Sequence, residues 1–86
     1  MQTTEILLIT QEECAEVTQA ISKVFRFGMD ATHKDKTNRD RLEEEVGDLV
    51  CMIELLEQQG LIDHEKVQQH KAQKLEKLKT WSTIFK

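Results

Sequence analysis

Residues 38–60 read NRDRLEEEVGDLVCMIELLEQQG, and their spacing decides the fold. Leu42, Leu49, Met52 and Leu56 recur at the 3.6-residue period of an α-helix. Asn38 stands in front of them as a cap, with acids following in the first turns. Gly60 stands behind, where a left-handed residue ends a helix that runs to Gln59. One stripe position breaks the pattern. Glu45 falls between Leu42 and Leu49, and Asp48 lies beside Leu49, three residues after Glu45.

Working upstream, residues 4–24 form a second periodic segment, with Thr3 or Thr4 as its cap and Glu5 in its first turn. Its stripe begins at Ile6 and Ile9 and closes at Ala20 and Val24. Between them it passes through Glu13 and Glu16. Residues 25–38 read as a loop containing Gly28, with a short turn allowed over 30–34. Downstream, Asp63 caps a third helix without a capping box, and Val67, Leu75, Leu78 and Trp81 give it an apolar side. Ile84 and Phe85 either continue this helix or fold back onto the bundle.

The expected fold class is all-α, with three main helices in a single domain over residues 1–86, the last two joined by a short connection. Composition agrees. The 86 residues include no proline, three phenylalanines, one tryptophan and no tyrosine, a balance that favours helix over sheet. Hydrophobic residues make up 38% and charged residues 33%, which leaves a thin core for one chain. Leu7 and Leu8 lie beyond the main stripe of the first helix, and Ile53 and Leu55 beyond that of the second. A homodimer or homotetramer, completing a four-helix-bundle-type oligomer, is therefore expected.

Several classes are disfavoured. A formal charge of -4 argues against a nucleic-acid partner, which needs a basic face. The longest apolar run, Ile6-Leu7-Leu8-Ile9, is too short to cross a membrane, and it lacks the flanks of a signal peptide. Two cysteines, Cys14 and Cys51, exclude a disulfide-dense scaffold and fit free thiols in a cytoplasmic protein. No CxxC or HExxH motif supplies a zinc site, and no P-loop cradles a phosphate.

The acids carry the chemistry. An i,i+3 pair on a helix lies roughly 60° apart, so Glu13 with Glu16 and Glu45 with Asp48 each share a face. Both faces are the ones that should meet. Clustered carboxylates raise one another's pKa and need either basic partners or divalent cations. For a set of four hard oxygen ligands, Mg²⁺ or Mn²⁺ is the suitable ion.

Two motifs give a family resemblance. Glu12, Glu13 and Glu16 in EECAE fit EExxE, and Glu45 and Asp48 in EVGD fit ExxD on the following helix. In this ordered pair the chain resembles the MazG-like branch of the all-α nucleoside triphosphate pyrophosphohydrolases, over most of its length. The resemblance implies Mg²⁺-dependent hydrolysis of an NTP or dNTP to the monophosphate and pyrophosphate. It implies metal ligands at Glu13, Glu16, Glu45 and Asp48. Catalytic roles fall on Glu12 and Glu13, with Glu12 in the outer shell or orienting the attacking water. It implies a phosphate-holding base on the later helix, for which Lys74 is chosen because it shares a face with Val67, Lys71 and Leu78. Lys71, Lys77, Lys23, Arg26 and Arg39 are further candidates to touch substrate. Many relatives are longer and stack the base on aromatics, whereas Phe25, Phe27, Trp81 and Phe85 here read as packing residues. The competing expectation is a non-enzymatic helical oligomerisation or adaptor module, and the stripe position of the acids speaks against it.

Overall fold

The computed structural model describes residues 2–86. Its elements are α1 (Thr3–Phe27), β1 (Thr32–His33), β2 (Lys36–Thr37), α2 (Asn38–Gln58) and α3 (His64–Trp81). The all-α expectation holds, with a two-stranded antiparallel ribbon as the one addition among the described residues.

Helix α1 starts one residue earlier than the threonines suggest. The Oε1 of Gln2 accepts from the N–H groups of Thr4 (2.7 Å) and Glu5 (3.3 Å), so a glutamine performs the capping expected of Thr3 or Thr4. The helix also continues past Val24 to Phe27, because nothing in that stretch breaks it. It ends at Gly28, whose φ of 95° is open to glycine alone at little cost and whose N–H donates to Val24 O (2.8 Å). Phe25 and Phe27 thus belong to the last turn of α1 rather than to the loop.

The cap of α2 is Thr37 rather than Asn38. Thr37 Oγ1 accepts from the Asp40 N–H and the Asp40 carboxylate accepts from the Thr37 N–H, both at 3.0 Å. This reciprocal box satisfies two otherwise unpaired donors. It frees Asn38 to turn inward. At the other end, Leu61 N donates to Leu56 O (2.9 Å) and Gly60 N to Glu57 O (3.0 Å), with Gly60 at φ 73°. This is a Schellman termination, and Gly60 is the left-handed residue the sequence points to. Asp63 caps α3 as expected, its carboxylate accepting from Lys66 N at 3.0 Å.

Residues 28–37, expected as a loop, form a tight hairpin. Thr32 pairs with Thr37 and His33 with Lys36. The two turn residues, Lys34 (φ 53°) and Asp35 (φ 65°), are both left-handed. That geometry matches strand twist but is usually built from Asn and Gly. The hairpin is fastened to the first turns of α2. Arg39 pairs with Asp30 (3.3 Å), Lys36 with Glu44 (3.3 Å), and Arg41 Nη2 donates to His33 O (2.8 Å).

The hairpin turns the chain back, so α1 and α2 pack antiparallel along their length. At one end Ile6 meets Met52 and Leu56, with Ile9, Leu55 and Ile62 packed around them. At the other end Asn38 Nδ2 donates to Gly28 O (2.8 Å) and reaches Lys23 O (3.5 Å). The middle of this helix pair carries the acids. By contrast, α3 packs extensively on neither helix and has no buried residue. The molecule is a slab of 39 × 37 × 14 Å. Leu75, Trp81, Ile84 and Phe85 are exposed, as are Leu7, Leu8 and Phe25. The packing role expected of Phe25, Phe27, Trp81 and Phe85 is therefore not met within one chain. A two-helix layer has only one interior face, and the third helix lies outside it.

Candidate metal and nucleotide site

Helical spacing places Glu13 on α1 opposite Glu45 and Asp48 on α2. One carboxylate oxygen from each of these three lies within 4.8 Å of the others. Glu13 and Glu45 are half-buried and Asp48 is exposed, so the cluster sits in the wall of a groove rather than in a sealed core. The thin slab explains this: α3 does not pack extensively over the face that α1 and α2 share.

The electrostatics are those of crowded like charges. Partial desolvation, followed by the neighbouring Asp48, Glu16 and Glu12 carboxylates, raises the Glu13 pKa above its ordinary value. Glu45 is raised in the same way, by partial desolvation and then by Glu16, Asp48, Glu13 and Glu44. Among the described residues no lysine or arginine forms an ion pair with any of the three clustered acids. All three donors are hard carboxylate oxygens, and neither histidine nor cysteine belongs to the set. The donor chemistry therefore fits Mg²⁺ or Mn²⁺.

Glu16 is exposed and lies one turn along α1 from Glu13, outside the trio yet close enough to raise both Glu13 and Glu45. It lines a groove of about 170 Å³ together with Gln19, Ala20, Lys23, Arg41 and Glu45. Glu12 is exposed and acts on Glu13 through its charge.

The basic candidates divide. Lys23 lies in the acid-lined groove. Arg26 is directed over the Phe27 ring, 5.0 Å from its centroid. Arg39 is engaged with Asp30. Lys71 and Lys74 line a shallow groove on α3 with Leu75 and Leu78, away from the acids of the same chain. Arg41 is the residue the sequence reading missed. Its signal was its position, four residues before Glu45 on the same face of α2.

Beyond Lys23 and Arg41 the groove opens into a cavity of about 390 Å³ under the hairpin. Phe27, Ala31, Thr32 and Asn38 form its walls, with His33 at the rim beside Arg41. Asn38 is 5% exposed, the one buried polar residue among those described. Cys14 and Cys51 are exposed free thiols. No described helix is long and apolar enough to cross a membrane.

Comparison with known proteins gives one family. The model of the MazG nucleotide pyrophosphohydrolase domain matches residues 2–81, nearly the whole chain. No curated protein and no solved structure matched the chain. The match spans both acidic motifs, the hairpin between them and α3, and it favours the enzyme over an adaptor module. With its facing carboxylates on antiparallel helices, this chain belongs to the MazG nucleotide pyrophosphohydrolase family.

Proposed function

We propose that this protein hydrolyses a nucleoside or deoxynucleoside triphosphate to its monophosphate and pyrophosphate with Mg²⁺, or Mn²⁺, as cofactor. The observation that carries this reading is the Glu13–Glu45–Asp48 cluster, three carboxylates from two helices within 4.8 Å, in a MazG-family chain.

Glu13, Glu45 and Asp48 would hold the cation, with Glu16 completing the set from the groove side. When bound, the ion supplies charge neutralisation for the phosphate oxygens and lowers the pKa of an attacking water. The residues of the chain do the rest. Lys23 and Arg41, at the edge of the acids, draw the polyphosphate into the groove and balance its charge. Arg41 is held for this by its bond to His33 O, so little side-chain freedom is lost on binding. Glu12, exposed next to Glu13, is placed in the outer shell, where a carboxylate orients water or accepts its proton. Water adds at the α-phosphorus, the bond to the bridging α–β oxygen breaks, and pyrophosphate leaves with that oxygen.

A second copy of the chain completes the fold in this reading, as a homodimer or homotetramer. The support is the uncovered apolar side of α3 and the exposed Leu7, Leu8 and Trp81. In such an assembly Lys71 and Lys74 are free to serve the acids of a neighbouring protomer. A cytoplasmic location, with Cys14 and Cys51 reduced, fits the two exposed thiols.

The test is a panel of NTPs and dNTPs with Mg²⁺, scored for pyrophosphate and for orthophosphate. Pyrophosphate release that disappears in Glu16→Gln and Asp48→Asn is the expected result. Orthophosphate as the only product, or full activity in both variants, overturns it.

A further inference from the structure

We infer that the cavity under the hairpin is the nucleoside pocket, and that it is built by this chain's own Phe27, Ala31, Thr32 and Asn38. The inference rests on the triphosphate reading above, since it assigns the rest of the same substrate.

Three observations carry it. The first is order along the helices. On α1 the groove residues run Glu13, Glu16, Lys23, Phe27; on α2, in the opposite chain direction, they run Asp48, Glu45, Arg41, Asn38. Acids and then a base succeed one another on each side of a single trough, which ends at Phe27 on α1 and at the Asn38 amide on α2. A metal-bound triphosphate joined to a nucleoside has that same sequence of chemistries. Glu45 lies seven positions along α2 from Asn38, about 10 Å at helical rise, so the trough is extended rather than a single point.

The second observation is continuity. Lys23 and Arg41 line both the acid-lined groove and the hairpin cavity, so the two spaces share a boundary made of the phosphate-binding residues. The cavity volume, about 390 Å³, lies within the roughly 300–1,000 Å³ usual for small-molecule sites.

The third is Asn38. Its Nδ2 is committed to Gly28 O and Lys23 O, which fixes the amide orientation. Among the described residues no donor reaches its Oδ1. The residue is 5% exposed, yet Oδ1 itself is not sealed off, and a rotationally fixed acceptor on a residue lining an apolar cavity suits an N–H of a base edge. Polar groups so fixed confer specificity, because a ligand without the matching donor leaves them unpaired.

The test uses the full chain and the four deoxynucleoside monophosphates, titrated without metal and followed by amide chemical shifts. Shifts should concentrate at Phe27, Ala31, Thr32 and Asn38. Ala31→Trp, which fills the cavity, should weaken monophosphate binding at least tenfold and raise KM for the triphosphate by a similar factor. Inhibition by inorganic tripolyphosphate, which has no nucleoside, should not change. Phe27→Ala, at an exposed position, provides the same readout with the fold undisturbed. Shifts at these amides support the pocket even where no hydrolysis is detected, a result that removes the proposed reaction alone. Hydrolysis with unaltered KM in both variants, or shifts confined to other residues, overturns the pocket and leaves the reaction standing.

Discussion

The Asn38 side chain donates to the carbonyl oxygen of Gly28 across 2.8 Å, tying the first turn of α2 to the residue that ends α1. This bond closes the helix pair at the hairpin end, where apolar contact is sparse. The Ile6–Met52–Leu56 cluster lies at the opposite end. Asn38→Ala removes the donor and leaves a carbonyl without its partner. A cost of about 1–3 kcal/mol follows. At about 4–8 °C per kcal/mol for a domain of this size, Tm falls measurably in a calorimetric scan. An unchanged Tm would mean that water replaces the amide and that the bond does not hold the helices together.

The hairpin turn stores backbone strain. Lys34 and Asp35 both occupy the left-handed region, which costs a side-chain-bearing residue roughly 1–2 kcal/mol, somewhat less for Asp. Replacing the pair by Asn-Gly keeps the turn type and relieves that cost. The double variant should be more stable than the parent by on the order of 1 kcal/mol, read as a higher denaturation midpoint with the same m-value. A lower midpoint would show that the Lys34 and Asp35 side chains contribute more than their backbone strain removes.

The same residues explain what the sequence could and could not reveal. Glu13, Glu45 and Asp48 were legible because the helical period alone fixes which face each occupies, and the apolar neighbours orient that face. Gly60 and Asp63 were legible because cap chemistry is local. The hairpin was not, since Lys34-Asp35 lacks the Asn or Gly that marks such a turn. Asn38 was read as a cap because Thr37 and Asp40 form a capping box with an Asp where Glu or Gln is usual, and the true cap lies one residue earlier. The detachment of α3 was invisible for a different reason. An apolar stripe states that a face must be covered, not which chain covers it.

His64, the first residue of α3, bonds through Nδ1 to Glu57 in the last turns of α2 at 2.9 Å, and this bond raises the imidazole pKa above 6.5. The unfolded histidine titrates near 6.5. A raised folded-state value means that protonation favours the folded form. The stabilisation is complete below the unfolded pKa and is lost as pH rises through the folded one. Wild type should therefore exceed His64→Ala in Tm at pH 5.5–6, with the gap closing toward pH 8. Both groups are partly solvent-exposed, so added salt should narrow the gap as well. A gap independent of pH would assign the contact to packing rather than charge.

Glu13 separates the cost of the acid cluster from its use. Its pKa is raised because partial desolvation and three neighbouring carboxylates oppose ionisation. For an acid raised in the folded state, stability falls as pH increases through the window above the unfolded value of 4.5. In metal-free buffer at pH 7, Glu13→Gln should thus match or exceed the wild type in Tm. Addition of Mg²⁺ should raise the wild-type Tm in a concentration-dependent way and leave the variant unmoved. Hydrolysis should drop on the order of 100-fold or more in the variant, beyond the 10- to 100-fold typical of outer-shell changes at metal sites. Removal of the cation with a chelator should reproduce that loss in the wild type. A variant that still gains stability from Mg²⁺ would move the ion away from Glu13.

Lys23 and Arg41 flank the groove between the acids and the hairpin cavity, and their substitutions should act on substrate capture rather than on water activation. Charge-assisted hydrogen bonds contribute about 1.5–3 kcal/mol, or roughly 10- to 150-fold in binding. Lys23→Gln and Arg41→Gln should each raise KM within that range, with a smaller effect on kcat. Arg41→Lys preserves the charge but not the fork that reaches His33 O, so it should recover only part of the affinity. The salt dependence of kcat/KM should become shallower in both Gln variants, because part of the attraction for the polyphosphate is gone. Steady-state kinetics at two ionic strengths measure all three effects. A fall in kcat with KM unchanged would instead place these residues at the transition state, beside the scissile bond.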